Sequence, residues 1–215
     1  MGYRNHLPRH ESDDYQTNLE LTRAICQRLS ALIAPPQKVI EPSAGLGRFI
    51  IATREQWPNS YITGLDCRQE CVQTMHQAKA DNVVIGDWSD PTTEALQGPF
   101  DLIIGNPPYY VAEEHVHLAK TRLAPGGALA FLLRMAFLSS QQRVKTLWQP
   151  PSELKYLMPL AQRASFTEDG KTEHSEYAVY VWEKGFMGDT KLLPHLWYDT
   201  PSKRSSRAKE QQVSE

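Results

Sequence analysis

Lys38-Val39-Ile40-Glu41 runs directly into Pro42-Ser43-Ala44-Gly45-Leu46-Gly47, and a helical pattern from Phe49 to Trp57 begins at once. A short apolar strand, a turn of small residues and a helix form the opening of a βαβ unit, whose crossover is right-handed and whose strands pair in parallel. The same alternation then repeats. Strands are expected at 61–66, 83–86, 101–105, 128–133, 154–158 and 177–182, and helices at 68–80, 111–123 and 141–148. Before them, Leu19, Ala24, Ile25, Leu29, Leu32 and Ile33 recur at helical spacing until Pro35-Pro36 stops the helix. Ala128 to Leu133 is apolar throughout, as in a parallel strand covered on both faces. The expected fold is an α/β sheet, largely parallel and seven-stranded, with helices on both faces.

Composition excludes several classes. With 215 residues, 40% hydrophobic and 22% charged, the chain has the make-up of a soluble globular protein rather than a disordered one. No apolar run reaches the ~18–20 residues of a membrane span, and the polar start Met1 to Tyr15 is unlike a secretory leader. Cys26, Cys67 and Cys71 are an odd set without a CxxC, so a reducing cytoplasm is expected and a disulfide framework is not. Cys67, Cys71 and His76 are few for a zinc site, and ordinary burial without metal is the expectation. The net charge of −2 argues against a generic basic nucleic-acid binder but leaves room for a local basic face. Residues 1–14 read as a flexible arm, 15–187 as the folded domain, and 188–215 as a basic tail. Lys203-Arg204-Ser205-Ser206-Arg207-Ala208-Lys209 in that tail is either a solvated end or an arm for nucleic-acid phosphates.

Two constellations carry chemistry. The first is the turn itself, where small residues let the backbone approach a ligand at the C-terminal end of a strand. Asp66 ends the next strand, about 20 residues on, where an acid can bind ribose hydroxyls. A dinucleotide fingerprint fails because Ile50 stands where a third small residue is needed, and no GKS or GKT exists for a P-loop. Asp87, ending the third strand, is placed to accept from an exocyclic amine, with Trp88 beside it to pack on a purine. The second constellation is Ile103-Ile104-Gly105-Asn106-Pro107-Pro108-Tyr109. The prolines stiffen the backbone, so the Asn106 side-chain oxygen and the Pro107 carbonyl converge as acceptors for an NH₂ group, and Tyr109 offers a flat face to a base.

In this order, Glu41–Phe49, Asp66, Asp87-Trp88 and Asn106–Tyr109 resemble the motifs of class I S-adenosylmethionine-dependent methyltransferases acting on exocyclic amines. The EPSAGxG and NPPY forms are most similar to the DNA N6-adenine branch. Asp14-Tyr15-Gln16-Thr17 resembles that family's N-terminal cofactor motif, although Asn18 stands where Pro is usual. Phe131–Leu138, Phe166–Lys171 and Tyr177–Gly185 resemble small phage and prophage DNA methyltransferases, so the likeness spans residues 14–187.

The resemblance implies a Rossmann-like fold and S-adenosylmethionine as cofactor. Asp66 would hold its ribose, Asp87 its adenine amine, and Glu41 would lie near the methionine end. Pro42, Ser43, Ala44, Gly45, Gly47, Cys67 and Trp88 complete that site, with Tyr15 and Thr17 closing over it and Asn106 shared with the reaction centre. Asn106, Pro107, Pro108 and Tyr109 form the catalytic motif, and Tyr109, Arg134 and Lys171 are the candidate substrate contacts, near Gln141, Gln142 and Arg143. An ordinary solvated surface, and for Arg134 a structural ion pair, is the other reading of these contacts. DNA is the expected partner, without membrane or metal, by in-line transfer to a flipped base. RNA adenine, a protein glutamine side chain, or a silent cofactor- or DNA-binding homologue are the alternatives. The residues after Met187 are expected to be too few for a separate target-recognition domain.

Overall fold

The computed structural model describes residues 16–164, 166 and 175–199. Its strands are β1 (Lys38–Glu41), β2 (Tyr61–Asp66), β3 (Asn82–Ile85), β4 (Phe100–Gly105), β5 (Leu123–Arg134), β6 (Leu154–Pro159), β7 (Tyr177–Glu183) and β8 (Lys191–Leu192). They form one eight-stranded sheet in the order β3-β2-β1-β4-β5-β7-β6-β8. The pairs from β3 to β5 are all parallel. β7 runs antiparallel to both β5 and β6, and β8 lies parallel to β6. The helices are α1 (Leu19–Ser30), α2 (Arg48–Gln56), α3 (Cys71–Gln77), α4 (Ala112–Arg122) and α5 (Gln141–Thr146).

The largely parallel α/β sheet agrees with the sequence reading, with one strand more than the seven expected. β8 is too short to show an alternating pattern. Beyond it, Leu196 and Tyr198 are buried, and Leu160 bridges Leu196. The chain therefore stays on the sheet through Leu196 and Tyr198, although sequence pattern placed them in the tail. The rest of that tail lies outside the described residues.

Alternation along the strands sorts the core into two layers. In β5, Ala128, Ala130 and Leu132 join the layer of α1, α2 and α3, whereas Leu129, Phe131 and Leu133 join the layer of α4. This is the period-2 geometry of a strand buried on both faces. Asn18 starts α1 by accepting the Glu20 N–H at 2.8 Å, so the residue standing where Pro is usual acts as a cap. α1 ends at Ser30, before the prolines, because the Ala31 and Leu32 N–H groups bond back by three residues and tighten the last turn.

The α4 layer contains a buried cation. Arg122 is 9% exposed; its guanidinium lies 4.1 Å from the Trp88 ring centroid and donates to the Trp88 carbonyl. Arg122→Ala would leave that carbonyl without its donor and the indole without its cover. The expected loss is about 1.5–3 kcal/mol, the range for a hydrogen bond to a charged group. An unchanged urea midpoint would show that the contact contributes nothing to stability.

Candidate functional site

The strand order reverses between β1 and β4: the chain proceeds from β1 outward through β2 and β3, then returns to the other side of β1 with β4. Open α/β sheets bind ligands at such a switch point, outside the carboxyl ends of the strands. Glu41 ends β1, and Asn106 follows Gly105 at the end of β4. Parallel pairing of these neighbours therefore brings the two sequence constellations into one cleft. Thr17, Glu41, Ser43, Ala44, Gly45 and Asp66 line it from one motif set, and Asn106, Pro107 and Pro108 from the other.

The turn after β1 is sewn to β2. Ala44 N–H donates to the Leu65 carbonyl at 2.8 Å and Gly45 N–H to Asp66 Oδ2 at 2.9 Å. Gly47 has φ +68°, and a Cβ there would lie 2.6 Å from the Ala78 Cβ. It allows close packing of the turn on the end of α3 and does not line the cleft.

Two carboxyls at the base of the cleft titrate in opposite directions. Glu41 is 3% exposed, and burial, with Asp66 nearby, pushes its carboxyl well above the usual range against one opposing bond from the Ile50 N–H at 3.2 Å. Burial also acts on Asp66, but hydrogen bonds from Arg68 and the Gly45 N–H outweigh it and hold that carboxyl below its ordinary value. The site thus has one acid that favours its proton and one that stays ionised.

Asn106 Nδ2 donates to Thr17 Oγ1 at 3.2 Å. That contact tethers the segment before α1 to the end of β4 and turns the amide so that its oxygen is the acceptor end. Tyr109 departs from the expected free stacking face. The Arg134 guanidinium sits 4.9 Å from its ring centroid, and the Tyr177 ring 5.7 Å away. Burial and Tyr177 raise its phenol well above the usual value, with Asn106 opposing. Arg134 in turn donates from Nε to the Tyr177 hydroxyl at 3.4 Å.

Several expectations need correction. Trp88 is 2% exposed and covered by Arg122, so its ring has no face for a purine. Asp87 does not line the cleft; its Oδ1 accepts from the Ser89 N–H and hydroxyl at 2.8 Å, closing the turn after β3. Cys67 is exposed, and neither it nor Pro42 lines the cleft. Arg143 is committed to the chain, donating to the carbonyls of Phe137 at 2.7 Å and Ser139 at 3.0 Å, whereas Gln141 and Gln142 are exposed. Tyr15 and Lys171 lie outside the described residues. Among the described residues no helix is long and apolar enough to cross a membrane, and no group of three or more His, Cys, Asp or Glu could hold a metal.

Sequence reasoning passed over Arg68 and His115. Burial brings the His115 imidazole down to about 4. Being neutral, it donates from Nδ1 to the Val111 carbonyl at 3.2 Å, and its Nε2 lies 3.5 Å from Ser43 Oγ, whose hydroxyl donates to the Pro42 carbonyl at 2.8 Å. No local pattern marks it, because its partner lies on the turn after β1.

Comparison with known proteins gives the family and the fold. Residues 21–153 match the model of the methyltransferase small domain family. The chain is 28% identical over 131 residues to the type II methyltransferase M.CvrRI of Paramecium bursaria Chlorella virus XZ-6E, covering 52% of this chain and 34% of that protein. It therefore spans about a third of the viral enzyme's length. A Listeria monocytogenes protein assigned to the class I S-adenosylmethionine-dependent methyltransferases superposes with TM-score 0.68 at 13% identity, over 94% of this chain and 72% of that one. The methyltransferase subunit of a type I restriction-modification system from Streptococcus thermophilus gives TM-score 0.67 at 10% identity, over 94% and 53% respectively. These structures share the fold.

The raised Glu41 carboxyl has a consequence for stability. It holds its proton to higher pH in the folded chain than in the unfolded one, so over that interval the unfolded chain binds fewer protons and stability falls as pH rises. Glu41→Gln removes this liability. The ligand-free variant should melt higher than wild type, with a gap that widens as pH rises above the ordinary glutamate range. Parallel melting curves across pH would count against the assignment.

Proposed function

Because the chain belongs to the methyltransferase small domain family, we propose that it methylates the exocyclic N6 amine of adenine in DNA. Its cofactor is S-adenosylmethionine. The observation that carries the finer reading is that the acidic turn and Asn106-Pro107-Pro108 share one cleft, with the Asn106 amide oriented by Thr17. The cleft fits the cofactor chemically. Asp66 stays ionised and suits a ribose diol, Glu41 is a buried carboxyl that holds its proton in the empty protein and would release it beside the cationic methionine end, and the Gly45 turn admits close approach. The cofactor supplies a methyl group already activated on its sulfonium, so no protein nucleophile is called for.

The chain's own residues then bind and orient. Asn106 Oδ1 and the Pro107 carbonyl would accept from the two amine hydrogens and hold the nitrogen lone pair free to take the methyl group as its bond to sulfur breaks, the amine's surplus proton then passing to solvent. Rate enhancement comes from alignment and placed dipoles. Tyr109 offers the target base the ring face that Arg134 covers in the empty protein, so the base takes the place of the guanidinium there. Adenine must leave the duplex to reach that face. We assign the catalytic unit to residues 15–199, extending the expected limit of 187 by the segment that packs on β6. The similarity to the viral type II methyltransferase supports DNA over RNA or protein.

The test is transfer of labelled methyl groups to duplex DNA, RNA and protein side by side, followed by nucleoside analysis. N6-methyladenine in DNA is the expected product; label confined to RNA or to glutamine would overturn the assignment. Asn106→Ala should lower the single-turnover rate by ~10²–10³, the effect of removing one preorganised polar group. Tyr109→Phe should retain more activity than Tyr109→Ala, because stacking is worth about 1–3 kcal/mol per base. Methyl transfer at the wild-type rate by Asn106→Ala would remove the motif from the mechanism.

A further inference from the structure

Asp66 is fully occupied within the chain. A carboxylate offers about four lone-pair positions. Oδ1 accepts from Arg68 N and Arg68 Nε, each at 3.0 Å. Oδ2 accepts from the Gly45 N–H at 2.9 Å and from Arg68 Nη2 at 3.3 Å. Each oxygen thus holds one backbone N–H and one nitrogen of the Arg68 side chain. A ribose diol needs one position on each oxygen. Those are the positions that the guanidinium takes, and moving that one side chain would release both while leaving the two backbone bonds in place.

The space around Asp66 leads to the same side chain. The cleft holds a free volume of about 50 Å³, against the ~300–1,000 Å³ of ordinary ligand sites. A neighbouring cavity of about 230 Å³ is lined by Glu70, Cys71 and Thr74 and shares Gln16, Leu46 and Arg68 with the cleft. Arg68 therefore stands between the two. It lies across the turn, with Nη2 3.4 Å from where a Cβ on Gly45 would be. Its side chain is 24% exposed. The second cavity offers it room and, in Glu70, another carboxylate.

We propose that Arg68 is a placeholder on the cofactor acid: it occupies the two acceptor positions that the ribose hydroxyls take and withdraws into the adjoining cavity when the cofactor binds. This rests on the reading of Asp66 as the ribose acceptor. The consequence is that binding is an exchange of partners on one carboxylate. Arg68 keeps Asp66 ionised and paired in the empty protein, and it weakens binding by having to be displaced.

The experiment measures binding of S-adenosylhomocysteine, which carries no net charge, to Arg68→Met, Arg68→Lys and Asp66→Asn by calorimetry and stopped-flow. Arg68→Met keeps the stem and removes the competing donors. Its affinity should rise roughly threefold to tenfold, the scale of a net hydrogen bond or two, with the gain in the association rate. Arg68→Lys, charged but without the fork, should fall between it and wild type, and it serves as the variant if the Met form does not fold. Wild-type affinity should increase with salt as the ion pair is screened, and this dependence should flatten in Arg68→Met. Weaker or equal binding by the Arg68 variants, with Asp66→Asn impaired, overturns the placeholder and leaves the ribose assignment standing. Unimpaired binding by Asp66→Asn instead removes the ribose assignment on which the placeholder rests.

Discussion

The hydrogen bond from the Gly45 N–H to Asp66 Oδ2 is the contact on which the site depends. It joins the turn after β1 to the last residue of β2, and the Ala44 bond to Leu65 reinforces it one residue earlier. Parallel pairing alone sets β1 beside β2, but it does not fix where the chain goes after β1. This bond does. It holds the turn over the sheet end, and Thr74 Oγ1 secures the Gly45 carbonyl at 3.0 Å. Gly47 can then cap α2 with positive φ, and α2 brings the Ile50 N–H onto Glu41. The carboxylate proposed to bind the ribose is thus already a structural acceptor, and its ionised state serves the fold of the turn.

Placing Glu41 beneath that turn works against the ligand-free protein. Its carboxyl is buried with a single backbone donor, while Asp66 already carries the negative charge the neighbourhood tolerates. Proteins commonly give up stability at functional sites, and the role proposed for Glu41 would account for this one. Burial also acts at His115, where it keeps the imidazole neutral.

The sequence made the strand ends legible and the side-chain destinations less so. That Glu41, Asp66 and Asn106 share one cleft is legible because each stands at the end of a strand, and an open parallel sheet brings such ends together whatever the loops do. The period-2 sorting of β5 was likewise visible in its unbroken apolar stretch. Trp88 was misread because its partner, Arg122, lies at the far end of α4; nothing local distinguishes an indole that covers a core from one awaiting a ligand. Tyr109 is a similar case, its ring meeting Arg134 from β5 and Tyr177 from β7. Arg143 reads as a surface cation on α5, yet it donates back to the carbonyls before that helix. β8 was missed because two residues show no periodicity, and what places them is pairing with β6.

Those misreadings share a physical cause with the organisation of the site. Each polar or aromatic group proposed to meet a ligand already has a partner inside the chain: Asp66 with Arg68, Asn106 with Thr17, Tyr109 with Arg134 and Tyr177. Burying such groups unpaired would cost about 1–3 kcal/mol apiece, so a stable empty protein pairs them internally. A ligand then gains only the difference between its own contacts and those it replaces, which limits affinity. The same arrangement sharpens discrimination. A molecule lacking one of the replacing donors displaces an internal partner and leaves an acceptor bare, and its binding is penalised by more than the missing contact alone. Internal pairing thus makes recognition depend on whether a ligand can complete every exchange, and Arg68 on Asp66 is the exchange for which the structure provides both the departing group and the space to receive it.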